Sequence, residues 1–481
     1  MKQEAVNPFL PLSEYHPDGE PHVFGDRVYL FASHDEEGGS TFCALDYVFW
    51  SAPADDLSDW TCRDVSYSAE QDPLCGESAR YMYAPDCVQG ADGRYYLYYC
   101  LSGEKGRGGY SHPISVAVCD TPDGKYEYLG FVRNRDGSPF TERVCFDPAV
   151  INDSGTIRLY FGTSMPWLER IRPKSLRRRV LAKAIGRTPA EAAYEDLGAY
   201  HVTLADDMLT VTSKPVRIDD TITGTEYPKH PFFEGSSIRK IGKTYYFIYS
   251  STNNHELCYA TSCRPDGDYH YGGTIVSNGD IGYEGRRPED RLNHTGTNHG
   301  SIEQVGGKWY VFYHRLTHNS DYSRQACAEE IRILPDGSIP QVEITSCGLN
   351  DGPLRFGAYP AAICCNLTHG RMSHGSNSDR KRKEPCITDR NGERFITGIT
   401  EGTEIVYKYF LLDGPARLTI TARGDGGTFE TNLGARIEVK PAADWSLTCC
   451  ELPAHEGSFP LRLIYHGRGM AELRDIELQR V

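Results

Sequence analysis

The stretch EGSSIRKIGKTYYFIYS, residues 234–250, decides the fold because close variants of it recur along the chain. It contains a short strand, a turn that includes a glycine, and a second strand rich in aromatic and β-branched residues, which together predict a β-hairpin. Five copies of one hairpin predict an all-β repeat architecture, and among such architectures they indicate a five-bladed β-propeller. The other four copies are PHVFGDRVYLFAS (21–33), DCVQGADGRYYLYYC (86–100), DPAVINDSGTIRLYFG (147–162) and HGSIEQVGGKWYVFYHR (299–315).

The C-terminal part of the chain has a different pattern. After about residue 338 the hairpins stop, and short alternating strands follow, such as ARLTITARG (416–424) and PLRLIYHG (460–467). Short strands at this spacing predict a β-sandwich. We therefore predict an all-β protein with a five-bladed β-propeller over residues 1–338 and a β-sandwich accessory domain over residues 339–481. The charged segments 171–179 and 376–386 are expected to be solvated loops.

Composition restricts the partners and the compartment. The net charge is −15, from 51 basic and 66 acidic residues, which disfavours nucleic acid and anionic membranes as partners. No apolar run is long enough to cross a membrane, and the N-terminus lacks the apolar segment of a signal peptide. A cytoplasmic location is therefore expected. The sixteen cysteines, which show no CxxC spacing, are expected to be reduced and mostly buried. The sequence does not indicate the oligomeric state.

A polar residue begins each hairpin copy: Glu20, Asp86, Asp147, Glu234 and His299. The first strand of each propeller blade lines the central channel, so these residues are expected to meet at one end of it. Any one of them alone would be an ordinary turn residue at a strand edge. Several carboxyl groups buried together are costly, however, and functional sites use such clusters to separate their pKa values. The pattern therefore predicts a catalytic or binding site.

In order and spacing these motifs resemble those of glycoside hydrolase family 43, a family of five-bladed propellers that act on plant-type glycans. The resemblance covers about residues 5–335 and rests on stretches such as YAPDCVQGADGRYYLYY (83–99) and FFEGSSIRKIGKTYYFIYS (232–250). The family uses a general acid, a general base and a third carboxyl group that orients the acid and tunes its pKa. The resemblance implies that Glu234 is the acid and Asp147 the third group.

The base is the point at which the sequence departs from the family pattern. The family usually has Asp in an Asp-Pro step at the start of the first blade, whereas this chain has Glu20-Pro21. We assign the base to Glu20, and Asp18, two residues earlier, is the competing candidate. Inverting glycosidases hold their two carboxyl groups about 6.5–9.5 Å apart, so Glu20 and Glu234 are expected to face each other at that separation. Asp147 is expected to raise the pKa of Glu234 by charge repulsion.

The resemblance also implies a reaction, an oligosaccharide substrate and further site residues. The expected activity is exo-acting, inverting hydrolysis that releases a terminal α-L-arabinofuranose or β-D-xylose. The alternatives are a non-catalytic carbohydrate-binding propeller, an altered specificity such as galactan or galactofuranoside hydrolysis, and a phosphate-using glycosidase suggested by the basic segment at 171–179. No organic cofactor is implied.

Two further residues have implied roles with competing structural interpretations. His299 corresponds to a central histidine often near a structural Ca²⁺ or other ion in the channel; the competing interpretation is a polar core residue. Arg324 corresponds to an arginine that contacts the sugar or the base; the competing interpretation is a surface ion pair. The remaining residues implied to form the substrate pocket are His34, Asp35, Asp46, Tyr47, Tyr83, Asp86, Trp167 and Phe233.

Overall fold

The computed structural model describes residues 5–77, 79–171, 173–190, 192–375 and 383–481. Most of the predicted loop at 376–386 lies outside the described residues. Within the described ranges the regular structure is almost entirely β, with one α-helix, α1 (Lys174–Ile185). The predicted all-β class is confirmed.

The first part of the chain forms five successive antiparallel sheets, in which each strand pairs with the next along the chain. Blade one contains β1 (Glu20–Phe24), β2 (Arg27–Phe31), β3 (Trp50–Pro53) and β4 (Thr61–Cys62), and blade two contains β5 (Tyr81–Gln89), β6 (Tyr95–Ser102), β7 (Ser115–Cys119) and β8 (Glu127–Phe131). Blade three contains β9 (Ala149–Asp153), β10 (Thr156–Thr163), β11 (Gly198–Leu204) and β12 (Val216–Arg217), and blade four contains β13 (Phe232–Ile241), β14 (Thr244–Ser251), β15 (Glu256–Ser262) and β16 (His270–Ser277). Blade five contains β17 (Ser301–Val305), β18 (Lys308–Leu316) and β19 (Arg324–Ile331).

The first strands of the five sheets surround a common axis. β1 contacts β5, β5 contacts β9, β9 contacts β13, β13 contacts β17, and β17 contacts β1. A parallel bridge between Gly19 and Gly300 joins the beginnings of the first and fifth sheets. The five predicted hairpins are therefore the inner two strands of the five blades, and the residues that begin them lie around the channel.

Each pair of neighbouring blades shares its own apolar core, because each face of a blade packs against the sheet of a neighbouring blade. Alternating apolar residues of the hairpin strands point into these cores, as period-two strands require. The core between blades one and two contains Phe31 and Leu97, and that between blades two and three contains Val116 and Leu159. Tyr160 and Phe247 belong to the core between blades three and four, and Ile248 and Val311 to that between blades four and five. Phe312 and Val28 belong to the core between blades five and one.

The segment 171–179 is not a loop throughout, because α1 begins within it at Lys174. Arg178 on this helix donates to the carbonyl oxygens of Ala190 and Ala192 at 2.8 and 3.0 Å. Leu181 and Ile185 of α1 are buried in an apolar cluster beside blades two and three. The basic side chain of Arg178 thus ties the helix to neighbouring backbone. None of the helices in the described ranges is long and apolar enough to cross a membrane.

The C-terminal part consists of two sheets packed face to face around one large apolar core. The predicted boundary at residue 338 falls in the segment that connects β19 to β20. The strands of the first sheet are β20 (Gly357–Pro360), β22 (Cys386–Arg390), β23 (Glu393–Ile399), β25 (Ala416–Gly424), β28 (Ala442–Leu452) and β30 (Ala471–Arg480), and those of the second are β21 (Asn366–Thr368), β24 (Glu404–Phe410), β26 (Gly427–Thr431), β27 (Arg436–Val439) and β29 (Phe459–His466).

The sandwich packs against the propeller through buried polar contacts. Lys408 on β24 lies 3.0 Å from Asp280, which follows β16 of the fourth blade. Arg315 on β18 donates to the carbonyl oxygen of Cys365 at 3.0 Å. No disulfide joins the sixteen cysteines, which all lie in the described ranges, and ten of them are buried.

Candidate active site

A cavity of about 520 Å³ opens at the end of the propeller where the first strands of the blades begin. This volume is in the range of small-ligand sites. Seven of the predicted site residues line it, together with the competing base candidate Asp18. The seven are Tyr83, Asp147, Trp167, Phe233, Glu234, His299 and Arg324.

Asp18 is held in the cavity wall as a buried carboxylate. Its backbone has φ 61°, a left-handed conformation that places its side chain at the cavity before β1 begins. Arg324 Nη1 lies 2.9 Å from Asp18 Oδ1. Burial raises the pKa of Asp18, but electrostatic interactions with Arg324, His314 and His299 and a hydrogen bond from Ser33 together outweigh burial, and the pKa is lowered. Asp18 is therefore ionised at neutral pH.

Arg324 is itself oriented by a second carboxylate, that of Asp35. Arg324 Nε and Nη2 donate to the two oxygens of Asp35 at 2.8 and 3.0 Å, a bidentate contact. Asp35 is buried behind the arginine and does not line the cavity. Phe42, which does line it, covers the guanidinium at 4.6 Å from the ring centroid. Arg324 is thus a rigid part of the site, and Asp35, predicted for the pocket wall, lies behind it and orients it.

Glu234 and Asp147 form a second pair of carboxyl groups on the neighbouring blades. Glu234 lies on β13 next to a break in the pairing with β14. Gly235 has φ 70°, and its N–H donates to Asp147 Oδ2 at 2.9 Å. A side chain at Gly235 would meet the His299 ring at about 3.1 Å, so the close approach also requires glycine. Asp147 has φ 47°, the same left-handed conformation as Asp18.

The pKa values in this pair are shifted upwards. Burial, followed by the negative charge of Asp18, raises the pKa of Glu234 to about 7. Burial, followed by the negative charge of Glu234, raises the pKa of Asp147 well above its usual value. No basic side chain makes an ion pair with either group within the described part of the chain. The cavity thus combines one ionised carboxylate with a pair of carboxyl groups that retain a proton.

Glu20 does not line the cavity, contrary to the predicted arrangement. Its side chain lies deeper in the channel, where Arg239 Nη2 and Ser237 Oγ contact its Oε2 at 2.9 and 3.2 Å. Burial outweighs the opposite charge of Arg239, and its pKa is raised to about 8. Asp18 precedes β1 in a left-handed conformation and lines the cavity, whereas Glu20 is the first residue of β1 and its side chain lies in the channel. The beginning of β1 thus separates the cavity from the channel interior.

Asp86 also lies in the channel and does not line the cavity. Its carboxylate accepts hydrogen bonds from the N–H groups of Cys87 and Val150, both at 2.7 Å, and contacts His22 Nε2 at 2.6 Å. The five residues predicted as one ring therefore occupy two levels. Asp147, Glu234 and His299 lie at the cavity, whereas Glu20 and Asp86 lie below it.

Three further residues predicted for the pocket wall lie elsewhere. His34 Nδ1 contacts the backbone carbonyl of Asp46 at 2.8 Å, and Asp46 Oδ1 accepts the N–H of Ala69 at 2.9 Å. Tyr47 is fully buried in the core between blades one and two. These side chains support the outer strands of the first blade and do not reach the cavity.

The sequence pattern missed several wall residues. α1 contributes Val180, Lys183 and Ala184, and it forms one side of the cavity with Trp167, which is 47% exposed. No local signal connects this helix to the site. Phe146 directly precedes Asp147, so its position was available from the motif. The other missed wall residues are Phe42, Gly106, Arg107, Gly108, Tyr110, Thr163, Ser164, Met165, Thr297 and Asn298.

The predicted ion site requires ligand atoms around His299 or in the channel. His299 Nδ1 lies 3.8 Å from Asp18 Oδ1, and burial lowers the pKa of His299, so the ring is neutral. Calcium takes six to eight oxygen ligands, and one carboxylate beside a neutral imidazole does not supply them. In the channel, Glu20, His22 and Asp86 lie close together, but Arg239 already pairs with Glu20. The side chains present therefore supply few of the ligands that a calcium ion takes.

A propeller with an ionised carboxylate and a proton-retaining carboxyl pair in one cavity has the groups that a glycosidase needs, because glycosidic cleavage requires an acid and a base on opposite sides of the bond. Comparison with known proteins identifies the family. Residues 6–339 match the model of glycosyl hydrolases family 43, and the chain belongs to this family.

Curated relatives agree with this family. The chain is 41% identical, over 99% of both sequences, to a xylosidase/arabinosidase of Thermoclostridium stercorarium. It is 29% identical to a xylosidase/arabinosidase of Bacteroides ovatus, over 70% of this chain and 97% of that protein.

Solved structures show the same fold. A GH43 β-xylosidase/α-arabinofuranosidase from a compost metagenome, in complex with xylotriose and in a calcium-free form, covers 69% of this chain and 96% of its own, with 26% identity and a TM-score of 0.52. An arabinoxylan arabinofuranohydrolase of Bacillus subtilis covers 100% of this chain and 99% of its own, with 18% identity and a TM-score of 0.50. This second likeness extends over both the propeller and the sandwich.

Proposed function

We propose that the protein is an exo-acting, inverting glycoside hydrolase that releases a terminal β-D-xylose or α-L-arabinofuranose from oligosaccharides. The names of relatives that cover 99% and 70% of this chain support this pentose specificity. The shape of the site supports exo action. Below the cavity the channel is filled by the buried side chains of Glu20, Asp86 and Arg239, so the substrate enters and leaves from one side.

Asp18 is the proposed general base, in place of Glu20. The observation that carries the proposal is that Asp18 and Glu234 line one cavity with opposite preferences for the proton. Arg324 lowers the pKa of Asp18, so it is ionised and ready to accept a proton from water. Glu20 has neither property, because its side chain is outside the cavity and its pKa is raised to about 8.

Glu234 is the proposed general acid. With a pKa raised to about 7, it retains its proton through much of the neutral range and donates it to the leaving oxygen. Asp147 holds the backbone beside Glu234 through the N–H of Gly235, and its own pKa is raised well above its usual value by burial and by Glu234. Burial and the charge of Asp18, not a charge on Asp147, keep the acid protonated, so Asp147 is a positioning residue.

An inverting reaction requires water between the base and the sugar. Asp18 removes a proton from this water as the water attacks the anomeric carbon, and Glu234 protonates the departing oxygen on the opposite side. We expect the Asp18 and Glu234 carboxyl groups to lie about 6.5–9.5 Å apart in the substrate complex. Proton NMR during the first minutes of hydrolysis tests the stereochemistry, because inversion releases the anomer opposite to that of the substrate.

The deciding experiment compares Asp18→Asn with Glu20→Gln on 4-nitrophenyl β-D-xyloside and 4-nitrophenyl α-L-arabinofuranoside. Asp18→Asn should lower kcat by about 10²–10⁴-fold, the range of general acid–base catalysis. Glu20→Gln should keep kcat within about threefold, because glutamine has the shape of the protonated glutamate that burial favours. Unchanged folding is checked by circular dichroism for both variants.

The opposite result would return the base to Glu20. If Glu20→Gln abolished turnover and Asp18→Asn preserved it, the assignment from the cavity would be wrong. If the wild-type protein cleaved neither pentoside but cleaved galactan or a galactofuranoside, the proposed sugar would be wrong and the acid and base assignments would be tested on that substrate.

A further inference from the structure

The channel below the cavity contains a second polar network, which we call the channel cluster: Glu20, His22, Asp86, Arg239 and Glu303. Its members come from four blades, since Glu20 and His22 lie on β1, Asp86 on β5, Arg239 on β13 and Glu303 on β17. The side chains of Glu20 and Arg239 are 2% and 8% exposed. The proposed hydrolysis does not use this network.

Arg239 spans the channel axis. It extends from blade four to blade one, which are not neighbours in the ring, and its Nη2 contacts Glu20 Oε2 at 2.9 Å and the carbonyl oxygen of Pro21 at 2.7 Å. Its Nη1 donates to its neighbour Ile238 at 2.9 Å, and its Nε lies 3.4 Å from Glu303 Oε2. The guanidinium is therefore a central positive charge with oxygen neighbours from blades one, four and five.

The cluster leaves few oxygen atoms for any other cation. Both oxygens of Asp86 already accept backbone N–H groups. Of the carboxylate oxygens of Glu20 and Asp86, only Glu20 Oε1 lacks a hydrogen-bond partner among the described residues. A Ca²⁺ or Mg²⁺ ion requires about six oxygen ligands and would be repelled by the guanidinium on the other oxygen of Glu20.

We propose that the Arg239 guanidinium is the resident cation of the propeller channel and makes the stability of this protein independent of a divalent metal ion. Arg239 places a positive charge beside the buried carboxyl groups of Glu20 and Asp86 on the axis, and it links blade four to blade one, which are not neighbours in the ring. A covalently attached cation cannot be removed by a chelator. The inference is independent of the proposed reaction, because it concerns stability and ion binding and not turnover.

The first test uses the wild-type protein. Thermal unfolding is measured after dialysis against EDTA and again with millimolar CaCl₂ or MgCl₂, and calorimetric titration with CaCl₂ measures binding directly. We expect the same unfolding temperature in all three conditions and no stoichiometric binding of calcium. A loss of several degrees after EDTA that calcium restores, or binding of one equivalent of calcium in the channel, would overturn the proposal.

The second test removes the resident cation with Arg239→Met, which keeps the length of the side chain. This variant leaves buried carboxyl groups without a counter-charge, so we expect its unfolding temperature to fall by several degrees and millimolar CaCl₂ to restore part of the loss. Titration should now show calcium binding. The double variant Arg239→Met/Glu20→Gln should lose the response to calcium, because one ligand and one charge are gone.

The matched control is Arg158→Met. Arg158 forms an ion pair with Asp153 at 2.7 Å on the third blade, away from the channel, so its loss should lower stability without creating a calcium response. A folded Arg239→Met that ignores calcium would contradict the proposal. If this variant is insoluble, it is refolded from urea with and without CaCl₂: recovery that depends on calcium supports the proposal, and equal failure contradicts it.

Discussion

The cavity and the channel cluster beneath it are built from the same types of residue but have different chemistry. Each contains carboxyl groups, an arginine paired with one of them, and a histidine. In the cavity, Arg324 pairs with Asp18 and Asp35 and leaves Glu234 and Asp147 without a cation. In the channel, Arg239 pairs with Glu20, while Asp86 receives backbone N–H groups. Because only one carboxyl group of the cavity wall pairs with an arginine, the pKa values in the cavity differ. In the channel, Arg239 and backbone N–H groups contact the carboxyl groups of Glu20 and Asp86. Side-chain type alone therefore does not distinguish a catalytic carboxylate from a structural one.

The largest expected difference between the two levels is in turnover. Glu234→Gln should lower kcat by about 10²–10⁴-fold on oligosaccharides, whose leaving group requires a proton. The loss should be smaller on a 2,4-dinitrophenyl glycoside, whose leaving group departs without one. Glu20→Gln in the channel is the matched control and should keep both activities. An equal loss on both substrates would contradict the role of Glu234 as an acid.

The pH dependence of kcat/KM should report the cavity carboxyl groups. Glu234 must hold its proton, so activity should fall as pH rises through about 7, the raised pKa of this group. Asp18 must be ionised, and its pKa is lowered, so the acidic limb should lie below the usual range of aspartate. A profile that stays flat well above pH 7 would contradict the protonated state of Glu234.

Asp147→Asn should lower kcat without moving the basic limb of that profile. The pKa of Asp147 is raised well above its usual value, so Glu234 loses its proton first, and asparagine removes no charge that this ionisation meets. We expect kcat to fall by about tenfold or more, because the asparagine changes the contact with the Gly235 N–H. A shift of the limb to lower pH would contradict a protonated Asp147 beside the acid. Thermal unfolding provides the control for folding.

The wall formed by Trp167 should have a smaller effect, confined to binding. Trp167→Ala should raise KM for oligosaccharides by about fivefold, the value of one aromatic contact, and leave kcat nearly unchanged. Tyr194, an exposed aromatic residue that does not line the cavity, is the control. An equal change in both variants would mean that Trp167 does not contact the substrate.

The smallest expected effect is on stability and belongs to the channel. The pKa of Glu20 is about 8 in the folded protein, above the ordinary value of 4.5. Its contribution to stability is therefore complete below about pH 4.5 and is lost as pH rises through about 8. Glu20→Gln cannot lose a proton, so its unfolding temperature relative to wild type should rise between about pH 5 and pH 9. A constant difference would contradict the raised pKa.

The sequence predicted much of the fold but only part of the site. The five hairpins, the sandwich strands and the positions of Asp147 and Glu234 follow from local patterns. The choice between Asp18 and Glu20 does not, because it depends on the left-handed backbone of Asp18 before β1 and on its ion pair with the distant Arg324. The helix α1 was predicted as a loop, since its basic residues have no apolar periodicity strong enough to reveal its buried side. Its place beside the cavity depends on packing between distant segments.

The sequence by itself determined the class of the fold, the family and the carboxyl groups of blades three and four, because strand periodicity, turns and the order of the motifs are local properties. Only the tertiary structure decided which carboxyl group of blade one faces the cavity and which is neutralised in the channel. The position of each carboxyl group along the channel axis decides this, together with the arginine that the carboxyl group contacts. Arg324 and Arg239 are each more than 200 positions from their partners Asp18 and Glu20, and no local pattern specifies such contacts.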